Sequence, residues 1–319
     1  MKADLILKNA QVVSMDDQDR RYEAAAIYDG KLVSLGSNGE IEQYEGYETK
    51  VLDLEGKTVI PGLIDAHQHM LSTGLNLRNV DCRVTSIQEM VERIRKRAKT
   101  CAPGEWVIGW GYDESRFSEK RHPTKEDFAG IEQPVFIMHY ASHSAVVNEK
   151  ALEAAGVSAH TPVEYGEIEV DEHGEPTGRL IEGGMDAVKN SMPSYTDEQM
   201  REALQLARDE YIKYGITSVH EAGMGLITNS LNEFKVFQEM AIDGELKVRV
   251  YGMILDEFFP VAQKMKLAFG FGNERFKIGA VKMFTDGTLS GKTAAVSRPY
   301  QNDGGYGEKT HTDEELKKA

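Results

Sequence analysis

The chain has 319 residues, 40% of them hydrophobic, and a formal net charge of −15. The length allows one large domain or two smaller ones, and the acidity argues against nucleic acid or anionic membranes as partners, because phosphate binding is driven by clustered Lys and Arg. No apolar run approaches the roughly 18 residues a membrane helix needs, and Met1-Lys2-Ala3-Asp4 is not followed by the apolar core of a signal peptide, so a soluble cytoplasmic protein is expected.

Residues 4–55 read as short strands. "DLILKNAQVVSMD" and "AAAIYDGKLVSLGS" alternate or cluster apolar residues, with Asp29-Gly30 as a tight hairpin turn and Glu55-Gly56-Lys57 as a second turn. This predicts a small β-sandwich module over residues 1–57. From residue 58 the texture changes. The run "TVIPGLID" predicts a strand over 59–65 buried on both faces, as in a parallel sheet. "SIQEMVERIRKRAKT" has helical spacing, with Ile87, Met90, Val91 and Ile94 on one face and Ser86 with Glu89 as a capping box. Residues 75–195 read as an insertion with its own strands and a hairpin turning at Glu172-His173-Gly174. The two cysteines, Cys82 and Cys101, are too few and too unpatterned for a disulfide framework or a Cys-based zinc site.

After the insertion, strands and helices alternate. A helix begins at a Thr196 cap, with Gln199 three residues on, and stops at Gly215. Strands follow over 216–221, 247–254 and 277–284, with helices between them. Such alternation means an α/β fold, a parallel sheet with right-handed crossovers. Four strands are countable, where a (β/α)8 TIM barrel needs eight. "THTDEELKKA" opens a helix, with Thr312 as cap and Glu315 completing the box. The chain, with residues 58–319 as a partial barrel, is therefore expected to be C-terminally truncated. The open edges of a half-barrel predict aggregation or pairing as a homodimer.

His67 and His69 close the apolar run. Residues i and i+2 of a strand share a face, so the two imidazoles stand side by side. The C-terminal end of a barrel strand is where active sites are built, and neutral imidazole is the commonest ligand of zinc-like ions. With nine histidines in the chain a chance pair is common, so the spacing alone is weak and two surface histidines are the alternative. "GMGLITNS" and "GFGNERF" contain Gly-x-Gly without completing a dinucleotide-binding unit. No Gly-x-Ser-x-Gly nucleophile elbow exists.

"VIPGLIDAHQHM", preceded by "VLDLEGKTVIPG", resembles the metal-dependent amidohydrolase superfamily. "GWGYDESRF", "HSAVVNEKAL", "GEPTGRLIE", "GITSVHEAG" and "VKMFTDGTLSGKTAAVSRPY" resemble its YtcJ-like branch, which includes N-substituted formamide deformylases. The resemblance runs from about residue 4 to the last residue. It implies a TIM-barrel hydrolase holding one or two divalent metals, zinc by expectation. It carries the strand 1 ligands over to His67 and His69, and by strand count the often carboxylated strand 4 lysine to Lys282. The ligands of strands 5, 6 and 8, including the aspartate that serves as general base, have no counterpart here. His143, His220, Asp286 and Trp110 are candidates for substrate contact. Each has a structural alternative: a satisfied polar residue, a simple Asp-Gly turn, or core of the insertion.

The resemblance implies hydrolysis of amide or other non-peptide C–N bonds in a small-molecule substrate, by a metal-activated water attacking a carbonyl. Alternatives are an inactive truncated fragment of such an enzyme, or a relative acting on cyclic amides, amines or esters.

Overall fold

In the computed structural model, which describes all residues except 103, 142, 164, 165, 288, 290–293, 302–304, 308 and 319, Asp29 and Gly30 both take positive φ, 48° and 69°. Two consecutive left-handed residues match the twist of a two-residue hairpin, and Asp-Gly accepts them readily. The N-terminal unit comprises Met1–Ile64 with Gly215–Thr217. Its elements are β1 (Leu5–Lys8), β2 (Gln11–Val13), β3 (Arg21–Tyr22), β4 (Ala24–Tyr28), β5 (Lys31–Gly36), α1 (Asn38–Glu42), β6 (Lys50–Asp53) and β7 (Thr58–Val59). They form a four-stranded sheet, β5-β4-β1-β6, and a three-stranded sheet, β3-β2-β7. Ala3, Ile6, Ala24, Ala26 and Ile41 make a buried cluster.

The run expected as one strand over 59–65 is broken. Thr58–Val59 belongs to the small sheet, and a separate strand, β8, covers Leu63–Gln68. Pro61 has no N–H to give a ladder. Gly62 lies so close to Thr217 that an added Cβ would meet its side chain at 2.2 Å. The expected burial on both faces also fails, since Leu63 is 53% and Ile64 65% exposed. β8 is also an edge strand, with a strand partner on one side only.

The second unit comprises Asp65–Tyr214 with Ser218–Ala319. After β8 come α2 (Met70–Arg78), β9 (Val80–Asp81), α3 (Ile87–Ala98), β10 (Val107–Tyr112), β11 (Val135–His139), β12 (Ser144–Val147), α4 (Glu149–Ala155), β13 (Glu167–Val170), β14 (Pro176–Ile181), α5 (Gly183–Lys189) and α6 (Asp197–Lys213). Then follow β15 (Ile216–Met224), α7 (Asn232–Ile242), β16 (Arg249–Leu255), α8 (Phe259–Lys264), β17 (Phe276–Lys282) and α9 (Asp313–Lys318). One sheet has the order β13-β14-β12-β11-β10-β9. The face toward α3 buries Val107, Ile137 and Val146 with Ile87, Met90 and Ile94. Phe136, Ala145 and Leu180 pack with Leu152, Met185 and Val188 of α4 and α5.

The other sheet has the order β17-β16-β15-β8, and β15, β16 and β17 pair in parallel. β15, β16 and β17 answer to three of the strands expected from the sequence, and β8 overlaps the fourth only over residues 63–65. Among the described residues the sheet is open, with β8 and β17 as its edges.

Helix caps follow local chemistry. Thr196 and Gln199 form the expected reciprocal box, as do Thr312 and Glu315. At α3 only half forms: Ser86 accepts from the Glu89 amide, while the Glu89 carboxylate pairs with Arg93 at 2.9 Å. Glu119 accepts from the Ile87 amide instead. Both cysteines are free, and burial pushes the Cys82 thiol up to about 12.

Helices α2 and α6 meet at Gly74, where an added Cβ would lie 1.9 Å from the carbonyl oxygen of Ala203. Backbone cannot rotate away as a side chain can. Gly74→Ala is therefore expected to destabilise the protein by about 1–3 kcal/mol, the usual cost of overpacking. Urea unfolding of the variant with an unchanged midpoint would contradict this contact.

Candidate metal centre

Alternation along β8 sends Gln68 to the side opposite its neighbours. Its side-chain oxygen accepts from the Tyr211 hydroxyl of α6, which turns His67 and His69 the other way. Their rings lie 5.8 Å apart, centroid to centroid, at 87°. The His67 amide donates to Asp65 at 3.2 Å, an Asx-type contact that shapes the strand end.

His69 is also the N-cap of α2, and its own side chain caps nothing. The cap comes from β15. Glu221, 2% exposed, accepts from the Met70 amide at 2.6 Å. Its other oxygen lies 3.4 Å from Nδ1 of His69. One buried carboxylate thus satisfies an orphan amide at a helix N-terminus, where negative charge is favoured. It also leaves Nε2 of His69 for a ligand. A carboxylate behind a histidine is the usual outer support of a metal-binding imidazole. Sequence reasoning singled out His220 ahead of Glu221. The strand runs to Met224 rather than ending at 221, so His220 is mid-strand, with its ring 4.8 Å from Tyr251.

The other candidates fall in several places. Lys282 ends β17, its Nζ 4.7 Å from the Phe284 ring centroid. It stands three strands from the histidine pair, roughly 14 Å along a flat sheet at about 4.8 Å per strand. Asp286 accepts from the Ala295 amide at 3.0 Å and from the Thr285 hydroxyl at 3.2 Å, and so ties the loop after β17. Trp110 donates its indole N–H to the Asn76 carbonyl at 3.1 Å, with the Arg83 guanidinium 4.5 Å above its ring. His143 pairs with Glu182 at 2.8 Å. The structure brings His67 and His69 together; Lys282, His143, His220, Asp286 and Trp110 each have other neighbours.

A second group of metal-ligand types lies in the insertion. Asp113, Glu114 and His139 place ligand atoms within 4.8 Å of one another. Sequence reasoning missed Glu114 and His139, whose only signal was acid and histidine at the ends of neighbouring strands. Nε2 of His139 is 2.9 Å from Glu114, and Nδ1 accepts from the Ala141 amide. That amide places the ring proton on Nε2, facing Glu114. Against the burial that opposes it, its own amide and His139 hold the Glu114 carboxyl below its usual range. Burial lowers His122 beside it and pushes the Tyr112 phenol up to about 12. Both nitrogens of His139 are thus already bonded, so a cation here would have to displace an existing contact.

The chain belongs to the Amidohydrolase family, whose sequence signature matches residues 50–319. It is 29% identical to the protein named YtcJ of Bacillus subtilis (strain 168) over 96% of this chain and 58% of that protein. It is 31% identical to the N-substituted formamide deformylase of Arthrobacter pascens over 69% of this chain and 42% of that enzyme. Among solved structures, an uncharacterised metal-dependent hydrolase from Pyrococcus horikoshii OT3 superposes with a TM-score of 0.78 at 26% identity, over 98% of this chain and 61% of the other. The counterpart from Pyrococcus furiosus gives 0.79 at 25% identity, with 98% and 63% covered. The chain spans about half the length of YtcJ and of the formamide deformylase. No helix among the described residues is long and apolar enough to cross a membrane.

Proposed function

We propose that this chain contributes the first ligands of a metal-dependent amidohydrolase centre that cleaves amide or other non-peptide C–N bonds of a small molecule. The observation that carries the reading is the His67–His69 pair with buried Glu221 behind His69. The kinship with a formamide deformylase supports the substrate class. The superposition on two metal-dependent hydrolases supports a closed (β/α)8 barrel as the fold of the whole catalytic unit.

The donors present suit a zinc-like ion: two imidazoles on one strand face, one held by a carboxylate. When bound, such an ion lowers the pKa of water toward roughly 7 and polarises a carbonyl. His67 and His69 would hold it. Glu221 keeps His69 turned outward and anchors α2. Tyr211 holds Gln68, and with it the strand end. Lys282 is the proposed third protein ligand as a carbamate formed by its neutral amine with carbon dioxide, whose anionic oxygen suits a cation that an ammonium would repel. The sheet has to curl to bring it near. The general base is assigned to no residue of this chain.

The test titrates chelator-stripped protein with zinc and reads the bound metal, which should saturate and be lost when His67 and His69 are replaced by alanine. Glu221→Ala should weaken zinc binding about 10- to 100-fold, and Glu221→Gln, which keeps one acceptor, less. Zinc binding unchanged in the His67→Ala/His69→Ala variant would sink the proposal.

A further inference from the structure

Glu182 is a non-glycine residue at φ 47°, ψ −121°, a backbone conformation that L side chains rarely adopt. Strain of this kind persists only where the surroundings over-determine it, and it gathers at functional sites. The surroundings here are backbone. Gly166, at φ 78°, lies so close that an added Cβ would meet the Ile181 carbonyl oxygen at 2.2 Å and the Glu182 Cβ at 2.8 Å. A Cβ on Gly184 would meet the Glu167 carbonyl oxygen at 2.2 Å. Two glycines therefore let the start of β13 close in on both sides of Glu182.

The strained residue is aimed at a histidine. Oε1 of Glu182 is 2.8 Å from Nδ1 of His143, and the Glu182 amide donates to the His143 carbonyl at 3.0 Å. The next pair along, Ser144 and Ile181, is in ladder register. His143 is thus held by backbone and side chain at once. The carboxylate accepts, so Nδ1 carries a proton, and in the neutral ring Nε2 keeps its lone pair. Among the described residues Nε2 has no protein partner, and the side chain is 46% exposed. His139 is the contrast: its side chain is 11% exposed and both its nitrogens are bonded.

We infer that His143 and Glu182 form an imidazole–carboxylate pair that presents Nε2 to accept a hydrogen bond from the N–H of a secondary amide. His143 is the binding residue and Glu182 its positioning residue. The choice of amide as ligand class rests on the amidohydrolase reading; the pair and its tautomer do not.

The probes are N-benzylformamide, which has an N–H, and N-benzyl-N-methylformamide, which lacks it. Binding to the zinc-loaded protein is followed by NMR, together with the 15N–1H pattern of the His143 ring. We expect the Nδ1–H tautomer, saturable shifts of the His143 resonances, and tighter binding of the secondary amide by about 3- to 10-fold, the range of one net hydrogen bond. Glu182→Ala should abolish both the tautomer and the preference. Glu182→Gln, which can still accept from Nδ1, should retain most of each. His143 as the Nε2–H tautomer, no preference in the unaltered protein, a preference that survives Glu182→Ala, or no binding of either amide would each overturn the inference. Turnover is not read, so a failure of hydrolysis would count against the amidohydrolase reading and leave this result standing.

Discussion

Metal content, measured by elemental analysis of the purified chain, is expected to fall to background when His67 and His69 are both replaced by alanine. The unaltered chain should retain zinc or a similar ion through dialysis. The loss expected is at least 100-fold in affinity: removing an outer-shell partner alone costs about 10- to 100-fold, and the double variant removes two inner ligands. His67 is exposed near the end of edge strand β8 and His69 is partly exposed as the N-cap of α2, so their removal should leave the fold intact, which circular dichroism can verify. Equal metal in both proteins would place the ion elsewhere, with the Asp113, Glu114 and His139 group as the first place to look. No metal in either would mean that two imidazoles and a supporting carboxylate do not suffice in this chain.

The second large effect concerns Glu233, in the first turn of α7 and 2% exposed. Its carboxylate accepts from the amides of Gly225 at 2.8 Å, Ile227 at 3.0 Å and Thr228 at 2.6 Å. These amides belong to the loop leaving β15, which begins four positions beyond Glu221. Glu233→Ala would strip all three of their acceptor. At roughly 1–3 kcal/mol for each buried amide left unpaired, with water reaching some of them, a loss of about 3 kcal/mol is expected. Burial pushes the Glu233 carboxyl above its ordinary value, against the amides that favour its charge. A folded-state pKa raised in this way adds stability at low pH that is lost as pH rises through it. The gap between the unaltered protein and Glu233→Ala should therefore be widest in mild acid and narrow toward neutrality. Urea denaturation across that range checks both size and sign, and a gap that widens with pH would show that the amides outweigh burial.

Local chemistry was legible in the sequence. The Asp29-Gly30 hairpin, the Thr196 and Thr312 boxes and the apolar face of α3 each depend on residues a few positions apart, and each appears in the structure. Strands β15, β16 and β17 of the parallel sheet were legible too, because buried β-runs between helices are hard to read otherwise. The apolar run around Pro61 misled, since hydrophobicity does not say whether a strand has neighbours on both sides. The site was half legible. His67 and His69 are two residues apart and share a face by strand geometry. Glu221 meets His69 across 152 positions, and Glu182 meets His143 across 39. Those pairings come from sheet order, which no local spacing encodes. The strain at Glu182 leaves no sequence signal beyond the glycines around it.

Glu221 gives two duties to one group. The carboxylate that holds His69 is also the cap of α2, so an ion held by His69 would share a single equilibrium with the order of that helix. Whatever tightens one must tighten the other by the same free energy. An ion that draws on His69 would pull the first turn of α2 into register and, through the close approach at Gly74, settle α6 as well. Occupancy of the centre would then be felt as rigidity on the far side of the sheet, where no ligand is bound.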